Sequence, residues 1–221
     1  MKPTTVFHVF MFFAFVFVCW KDYLIVYGDL LPMPGQFLSK FVWLTMINLY
    51  LHTFYHFFGI FISLAGSKST TFDYAARAFV GPIGVTVTVL FWALYLADPA
   101  NIADDIRGRQ ILAIQWFNHG LHTLPLASSV LDHIVWNHKG FHTRQILQGI
   151  ATFCAFYLAD IHIVHHYTGF WAYPIIGDLS PPLRIVFFAV CIGVFYLSYL
   201  FQSLVHTTFH RRQVRNASKK K

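Results

Sequence analysis

The chain has 221 residues, of which 57% are hydrophobic, 19% aromatic and 11% charged. A soluble domain carries about 25% charged residues, so the composition excludes an ordinary soluble globule and points to one integral membrane domain. The formal charge of +7 is no nucleic-acid signal, because six of the sixteen basic residues fall in the tail at 211–221, which reads as an anchor on anionic cytoplasmic lipid; no nucleic-acid partner is expected.

A bilayer core of about 30 Å takes about 20 apolar residues as a helix. Six stretches qualify, at 6–26, 41–65, 78–97, 111–135, 146–164 and 185–205. The first has one lysine before its Phe/Val run and no A-x-A cleavage site, so an uncleaved span is expected rather than a signal peptide. Pro32-Met33-Pro34-Gly35 separates it from the second span, and Gly66-Ser67-Lys68-Ser69 separates the second from the third. Gly81-Pro82 is a candidate break within the third span, and Asp98-Pro99 precedes the fourth. Gly177-Asp178 and Ser180-Pro181-Pro182 lie between the fifth and sixth. The expected fold is an all-α integral membrane protein of six transmembrane helices within residues 1–210, followed by the basic tail at 211–221.

With the N-terminus in the cytoplasm, the inside segments hold Lys2, Lys68, Arg77, Lys139, Arg144 and the tail's six, eleven basic residues in all. The outside loops hold five, Lys21, Lys40, Arg107, Arg109 and Arg184. The positive-inside rule therefore puts both termini in the cytoplasm, where the sequon Asn216-Ala217-Ser218 stays unmodified. A multi-pass protein of the endoplasmic reticulum or plasma membrane is expected; Lys219-Lys220-Lys221 hints at reticulum retrieval.

Several chemistries are excluded. All nine acidic residues are Asp, so schemes that need a Glu, H-E-x-x-H among them, do not apply. The three cysteines, Cys19, Cys154 and Cys191, are odd in number and show no CxxC spacing, which implies neither a disulfide framework nor a thiolate metal site. There is no GxSxG, Walker A or GxGxxG pattern.

Polar residues instead recur at helical spacing inside the apolar runs. Thr45, Asn48, His52 and His56 share one face of the second span. Gln115, Asn118, His119 and His122 share a face of the fourth, and His162, His165 and His166 cluster at the end of the fifth. Such residues are costly in hydrocarbon and mark functional interiors, so all three stripes are expected to face one cavity. Thr45, His119, His122, His165 and His166 gather in its outer half, with His52 and His56 about 10–16 Å along the second span from Thr45. A threonine hydroxyl attacks a carbonyl once an imidazole takes its proton. Thr45 with a histidine of the fourth span is thus a candidate acyl-transfer pair, with Asn118 as a candidate oxyanion donor. The blander reading makes Thr45 a packing residue bonded to its own i−4 carbonyl. A rival reading takes His52-x-x-x-His56, His119-x-x-His122 and His162-x-x-His165-His166 as the histidine boxes of a di-iron lipid desaturase or hydroxylase. A transporter would need a broken-helix pair in matching halves, and none is evident.

Two longer runs carry a resemblance. Trp116-Phe117-Asn118-His119-Gly120-Leu121-His122-Thr123 resembles the W-x-N-H-G-x-H-T run of the androgen-induced protein family, which includes the androgen-dependent regulator of tissue factor pathway inhibitor. His165-His166-Tyr167-Thr168-Gly169-Phe170-Trp171-Ala172-Tyr173-Pro174 is similar to its H-H-x-T-G-x-W-x-Y-P run. Gly81-Pro82-Ile83-Gly84 with Phe91-Trp92, the run from Pro182 to Phe188, and Leu44-Thr45 also match. The resemblance implies a six-span membrane hydrolase of fatty acid esters of hydroxy fatty acids, with Thr45 as nucleophile and His122 as base. His119 is the fallback base, and Asn118, His165 and His166 are candidates for orientation or oxyanion support. The substrate is a lipid entering from the bilayer, and no cofactor or metal is required. His52, His56, Asp160 and His162 look particular to this chain, and Asp160 is expected to be the partner of His162. A fourth span starting at Ile111 puts His122 about 16 Å along it, against about 6 Å for Thr45 in the second; tilt or a later start must close that gap.

Overall fold

The structure, a computed structural model, describes residues 2–26, 31–33 and 36–218, with side chains described through His210. Pro34 and Gly35 of the first turn signal, and Lys219-Lys220-Lys221, lie outside the described residues. Among the described residues all regular structure is helical. Five helical segments are long and apolar enough to cross a bilayer, Pro3–Val26, Leu44–Ala65, Thr70–Ala97, Thr143–Thr168 and Pro181–His210, so the protein is a multi-pass membrane protein.

Helix α1, Pro3–Val26, runs against α2, Leu44–Ala65. Between them a 3-10 turn, Phe37–Val42, brings Lys40 onto Asp22 of α1; both are buried and ion-paired. Gly66 ends α2 with φ 64°, a left-handed conformation that glycine adopts without cost, and its N–H closes the last turn on Ile62 and Ser63. Gly59 of α2 lets the His8 ring of α1 lie against the backbone, since a Cβ there would fall 2.6 Å from His8 Nδ1.

Ser69 caps α3, Thr70–Ala75, by accepting from the Phe72 N–H at 3.2 Å. A π turn, Ala76–Val80, joins α3 to α4, Gly81–Ala97, and the Gly81 N–H reaches back to Ala76 O. Pro82 has no N–H to give to the preceding turn, and the wider turn absorbs that loss. The candidate break at Gly81-Pro82 is therefore a bulge in one continuous span. The segment from Gly81 to Thr88 is buried throughout, and α4 packs against α2, α7 and α10 as the centre of the bundle.

The expected fourth span at 111–135 is not one helix. It divides into the end of α5, Ile106–Leu112, then α6, Gln115–His122, and α7, Leu124–Val135. Pro125 opens α7 and cannot continue the hydrogen-bond ladder from α6. At the other break, the Asn118 side-chain amide turns back to cap the Leu112 carbonyl. The fold thus offers five continuous candidate spans with a segmented fourth element between them, instead of six unbroken helices.

Helix α8, Thr143–Thr168, ends at Gly169 with φ 72°. After the short α9, Pro174–Asp178, helix α10 runs from Pro181 to Ser218 and packs on α4 and α7. Exposed Phe10, Phe13, Phe54, Phe58, Phe61 and Phe156 face outward from α1, α2 and α8, as a lipid-facing surface requires.

Candidate active site

Thr45 is the second residue of α2, so it stands at the end of that helix whose backbone N–H groups lack intrahelical acceptors. His122 is the last residue of α6. Its Nε2 lies 3.3 Å from Thr45 Oγ1, and both residues are buried. His122 Nδ1 is 3.1 Å from the Asn118 carbonyl oxygen. A carbonyl only accepts, so Nδ1 carries the proton and Nε2 of the neutral ring accepts from the Thr45 hydroxyl. Phe91 of α4 fixes the imidazole plane by stacking on it at 3.4 Å between centroids, with 4° between the planes. The pair meets because α6 starts afresh at Gln115, so depth counted in one run from Ile111 does not apply.

A third residue joins them. Tyr173, just before α9, interacts through its phenol with the Thr45 side chain, the Tyr157 side chain and the backbone at Leu44 and Thr45. Burial pushes the Tyr173 phenol above its ordinary pKa, so it is protonated and able to donate at neutral pH. Tyr157 in turn donates to Val42 O at 3.0 Å. Tyr173 lies within the Trp171-Ala172-Tyr173-Pro174 run that was visible in the sequence, but periodicity gave it no role because it belongs to no helical stripe.

Two cavities meet at Thr45. One, of about 100 Å³, is apolar and walled by Leu90, Phe91, Phe153, Phe188, Cys191 and Phe195. The other, of about 380 Å³, contains His122, Asn118, Asp22, Asp105, Trp171 and Tyr173. Thr45, Phe91 and Tyr173 line both.

The remaining sequence candidates lie elsewhere or hold other posts. Asn118 is buried and spends its side-chain amide on the Leu112 carbonyl. His119 is exposed and bonds Thr123 Oγ1 at 3.0 Å. His165 stacks on Trp171 at 3.8 Å, behind the wall of the larger cavity, and His166 is exposed. His162 gives its Nδ1 proton to the Leu158 carbonyl at 2.7 Å, so its bond runs to the preceding turn and not to Asp160. The histidine boxes do not assemble. Among the described residues, the group of three or more His, Cys or Asp whose ligand atoms lie within 4.8 Å of one another is Asp132, His133 and His138, none of them a box residue.

His56 and His52 do face inward. His56 bonds His8 Nδ1 at 2.9 Å and Ser128 Oγ at 2.7 Å, and His52 packs on Phe15 at 4.9 Å between centroids. His56 belongs to a buried polar network running through His8, Tyr55, Asp73, Asp132 and His138 toward the other end of the bundle, whereas neither ring nitrogen of His52 has a hydrogen-bond partner among the described residues. Sequence reasoning missed Asp132, His133 and His138, although an Asp-His pair inside an apolar run was a legible signal. It also missed Ser198, Gln202, His206 and His210, buried on one face of α10 at steps of four.

A family model described as FAR-17a/AIG1-like protein matches residues 9–207. The chain is 32% identical to the androgen-induced gene 1 protein of Homo sapiens over 52% of this chain and 48% of that relative, so the match spans about half the relative's length. It is 28% identical to the androgen-dependent TFPI-regulating protein of Mesocricetus auratus, over 79% of this chain and 82% of the relative. The protein of the same name from Rattus norvegicus is 25% identical over 86% of this chain and 88% of its own. No solved structure matches the chain. With nearly all of its membrane-spanning region covered by the family model, the chain belongs to the FAR-17a/AIG1-like protein family.

Proposed function

We propose that the protein is a membrane-embedded lipid esterase that hydrolyses fatty acid esters of hydroxy fatty acids. The observation that carries this reading is the buried contact between Thr45 Oγ1 and His122 Nε2 at 3.3 Å, placed where an apolar cavity meets a more polar one. Thr45 attacks the ester carbonyl while His122 Nε2 accepts its proton. The Asn118 carbonyl, bonded to Nδ1–H, holds the tautomer and favours the imidazolium that forms. The Tyr173 phenol and the N–H groups at the start of α2, which lack intrahelical acceptors, stabilise the oxyanion, helped by the positive end of the helix. His122 then returns its proton to the leaving alkoxide, which departs as the hydroxy fatty acid. Water, with His122 as base, next attacks the acyl–Thr45 ester and frees the fatty acid. The cavity walled by Phe188, Cys191 and Phe195 suits the acyl chain, and the wider one accommodates the hydroxy-acid arm. No metal or cofactor enters these steps.

The test is labelling of the purified protein with a lipophilic fluorophosphonate, comparing wild type with Thr45→Ala and His122→Ala. Labelling lost in both variants is expected. Labelling absent from the wild type, or unchanged in the variants, overturns the threonine mechanism.

A further inference from the structure

At the far end of α2 from Thr45 lies a second cluster that the esterase reading leaves unused. Tyr55, which reaches into it, is ten residues along the helix, or about 15 Å. Asp132 and His133 form part of the last helical turn of α7, and His138 follows in the loop before α8. All three are buried, and their ligand atoms lie within 4.8 Å of one another.

The hydrogen bonds fix which atoms face the centre. His133 Nδ1 gives its proton to the Ser129 carbonyl at 2.9 Å, leaving only Nε2 to coordinate. His138 Nδ1 lies 2.9 Å from Asp73 Oδ1, and its Nε2 lies 2.7 Å from Asp132 Oδ2. With its proton on Nδ1, His138 presents an Nε2 lone pair to a carboxylate oxygen. Two acceptors this close need a shared cation: a second ring proton fits the 2.7 Å separation as it stands, and a metal ion would part the two atoms to about 3.3 Å. A proton would serve that pair alone. It would leave His206 Nε2 buried and without a hydrogen-bond partner among the described residues, and Asp132 Oδ1 with no hydrogen bond and only His8 Nε2 facing it at 3.8 Å.

We propose that Asp132, His133 and His138 bind a zinc ion, with His206 of α10 as the fourth ligand. Histidine and carboxylate at a four-coordinate centre suit this metal. Imidazoles on one tetrahedral zinc have ring centroids about 5 Å apart, and those of His133 and His138 are 5.2 Å apart. His206 stands 6.1 Å and 6.2 Å from them, so a shift of about 1 Å brings it in. The supporting shell is built as metal sites require: one ligating histidine donates to a carboxylate, the other to a backbone carbonyl. Tyr55 donates to the ligating carboxylate at 2.7 Å. Asp73 and Asp132 together offset the ion's charge against the Arg77 guanidinium, which also acts on His133 and His206. A cavity of about 560 Å³ reaches Asp73 and His138 and gives the ion a way in. Four protein ligands leave no open position, so the ion is structural and ties α7, the loop after it and α10 together.

The test uses the full chain in detergent, stripped with chelator, equilibrated with zinc chloride and freed of unbound metal by gel filtration. The wild type is expected to retain about one zinc per chain by elemental mass spectrometry. Asp132→Asn and His133→Gln should lose it, Asp73→Asn should weaken affinity about 10–100-fold, and His162→Gln should bind as wild type. X-ray absorption on the wild type should show nitrogen and oxygen ligands only, with several imidazoles; this readout decides the site even where a variant fails to assemble. A wild type that retains no zinc overturns the proposal and leaves His138 as an imidazolium between two carboxylates. Sulfur in the absorption spectrum, or full zinc in a folded Asp132→Asn protein, overturns it as well. Fluorophosphonate labelling reads the Thr45 site independently, so either proposal can fail without the other.

Discussion

Replacing Thr45 with valine separates catalysis from folding at this site. Valine keeps the branched shape and removes only the hydroxyl. The lost bond is neutral and long, at 3.3 Å, so its net contribution is about 1 kcal/mol, rising toward 3 kcal/mol because buried His122 Nε2 is left unpaired. Thr45 is second in α2, where its hydroxyl does not hold the helix ladder, so the melting temperature should fall by about 2–12 °C while the fold is retained. Loss of a nucleophile should instead lower turnover by about 10⁴-fold or more, equal to at least about 5.4 kcal/mol at the transition state. The assay is release of free hydroxy fatty acid from a fatty acid ester of a hydroxy fatty acid, followed by mass spectrometry, with a thermal melt on the same preparations. Thr45→Ser restores the hydroxyl and should recover measurable turnover. A folded Thr45→Val protein that hydrolyses within tenfold of the wild-type rate refutes the nucleophile assignment.

Two further substitutions probe neighbouring elements. Tyr173→Phe removes the phenol that serves Thr45 while keeping the ring; kcat should fall about 100- to 1000-fold with KM little changed, and steady-state kinetics with wild-type kcat would refute an oxyanion role. Lys40→Met strands the buried Asp22 carboxylate and should cost about 3–5 kcal/mol, whereas Asp22→Leu combined with Lys40→Met should recover most of it; thermal or denaturant melts that rank the double variant below the single one would show that the ion pair itself stabilises the fold.

Helical spacing identified the apolar spans and the inward face of α2, because Thr45, Asn48, His52 and His56 lie on one unbroken helix. It was less informative in the fourth element. Gln115, Asn118, His119 and His122 share a face only if one helix runs past them, and the breaks on either side of α6 reset that phase. Asn118 and His122 end up buried and His119 exposed, on the same two turns. The choice of His122 over His119 came from the resemblance, since spacing alone left both open. The stripe at the end of α8 was legible as a cluster but not as a direction: His162 and His166 are exposed, and His165 turns onto Trp171. The cluster around His138 depends on a loop residue meeting Asp73 sixty-five positions earlier, a contact that no local periodicity encodes.

The segmented fourth element shows how the proposed esterase site would fit inside a bilayer bundle. An unbroken helix satisfies its own backbone, so it has no N–H or C=O to offer a reacting ester or its catalytic histidine. Here the chain breaks twice within the expected span, and both breaks border the pair. The first starts α6 at Gln115, which sets His122 at the depth of Thr45. The second ends α6 at His122 before Pro125 opens α7. Trp43 holds an extended conformation at the entry to α2, so the amides at Leu44 and Thr45 remain outside the helix ladder beside the threonine hydroxyl. Irregular backbone is tolerated at membrane depth only where protein or a cavity covers it, and the larger cavity runs along this break, with Leu112, Asn118 and His122 on its wall. Polar backbone, the buried hydroxyl and the imidazole thus share one opening, and the apolar cavity beside it lies among the helices that face lipid.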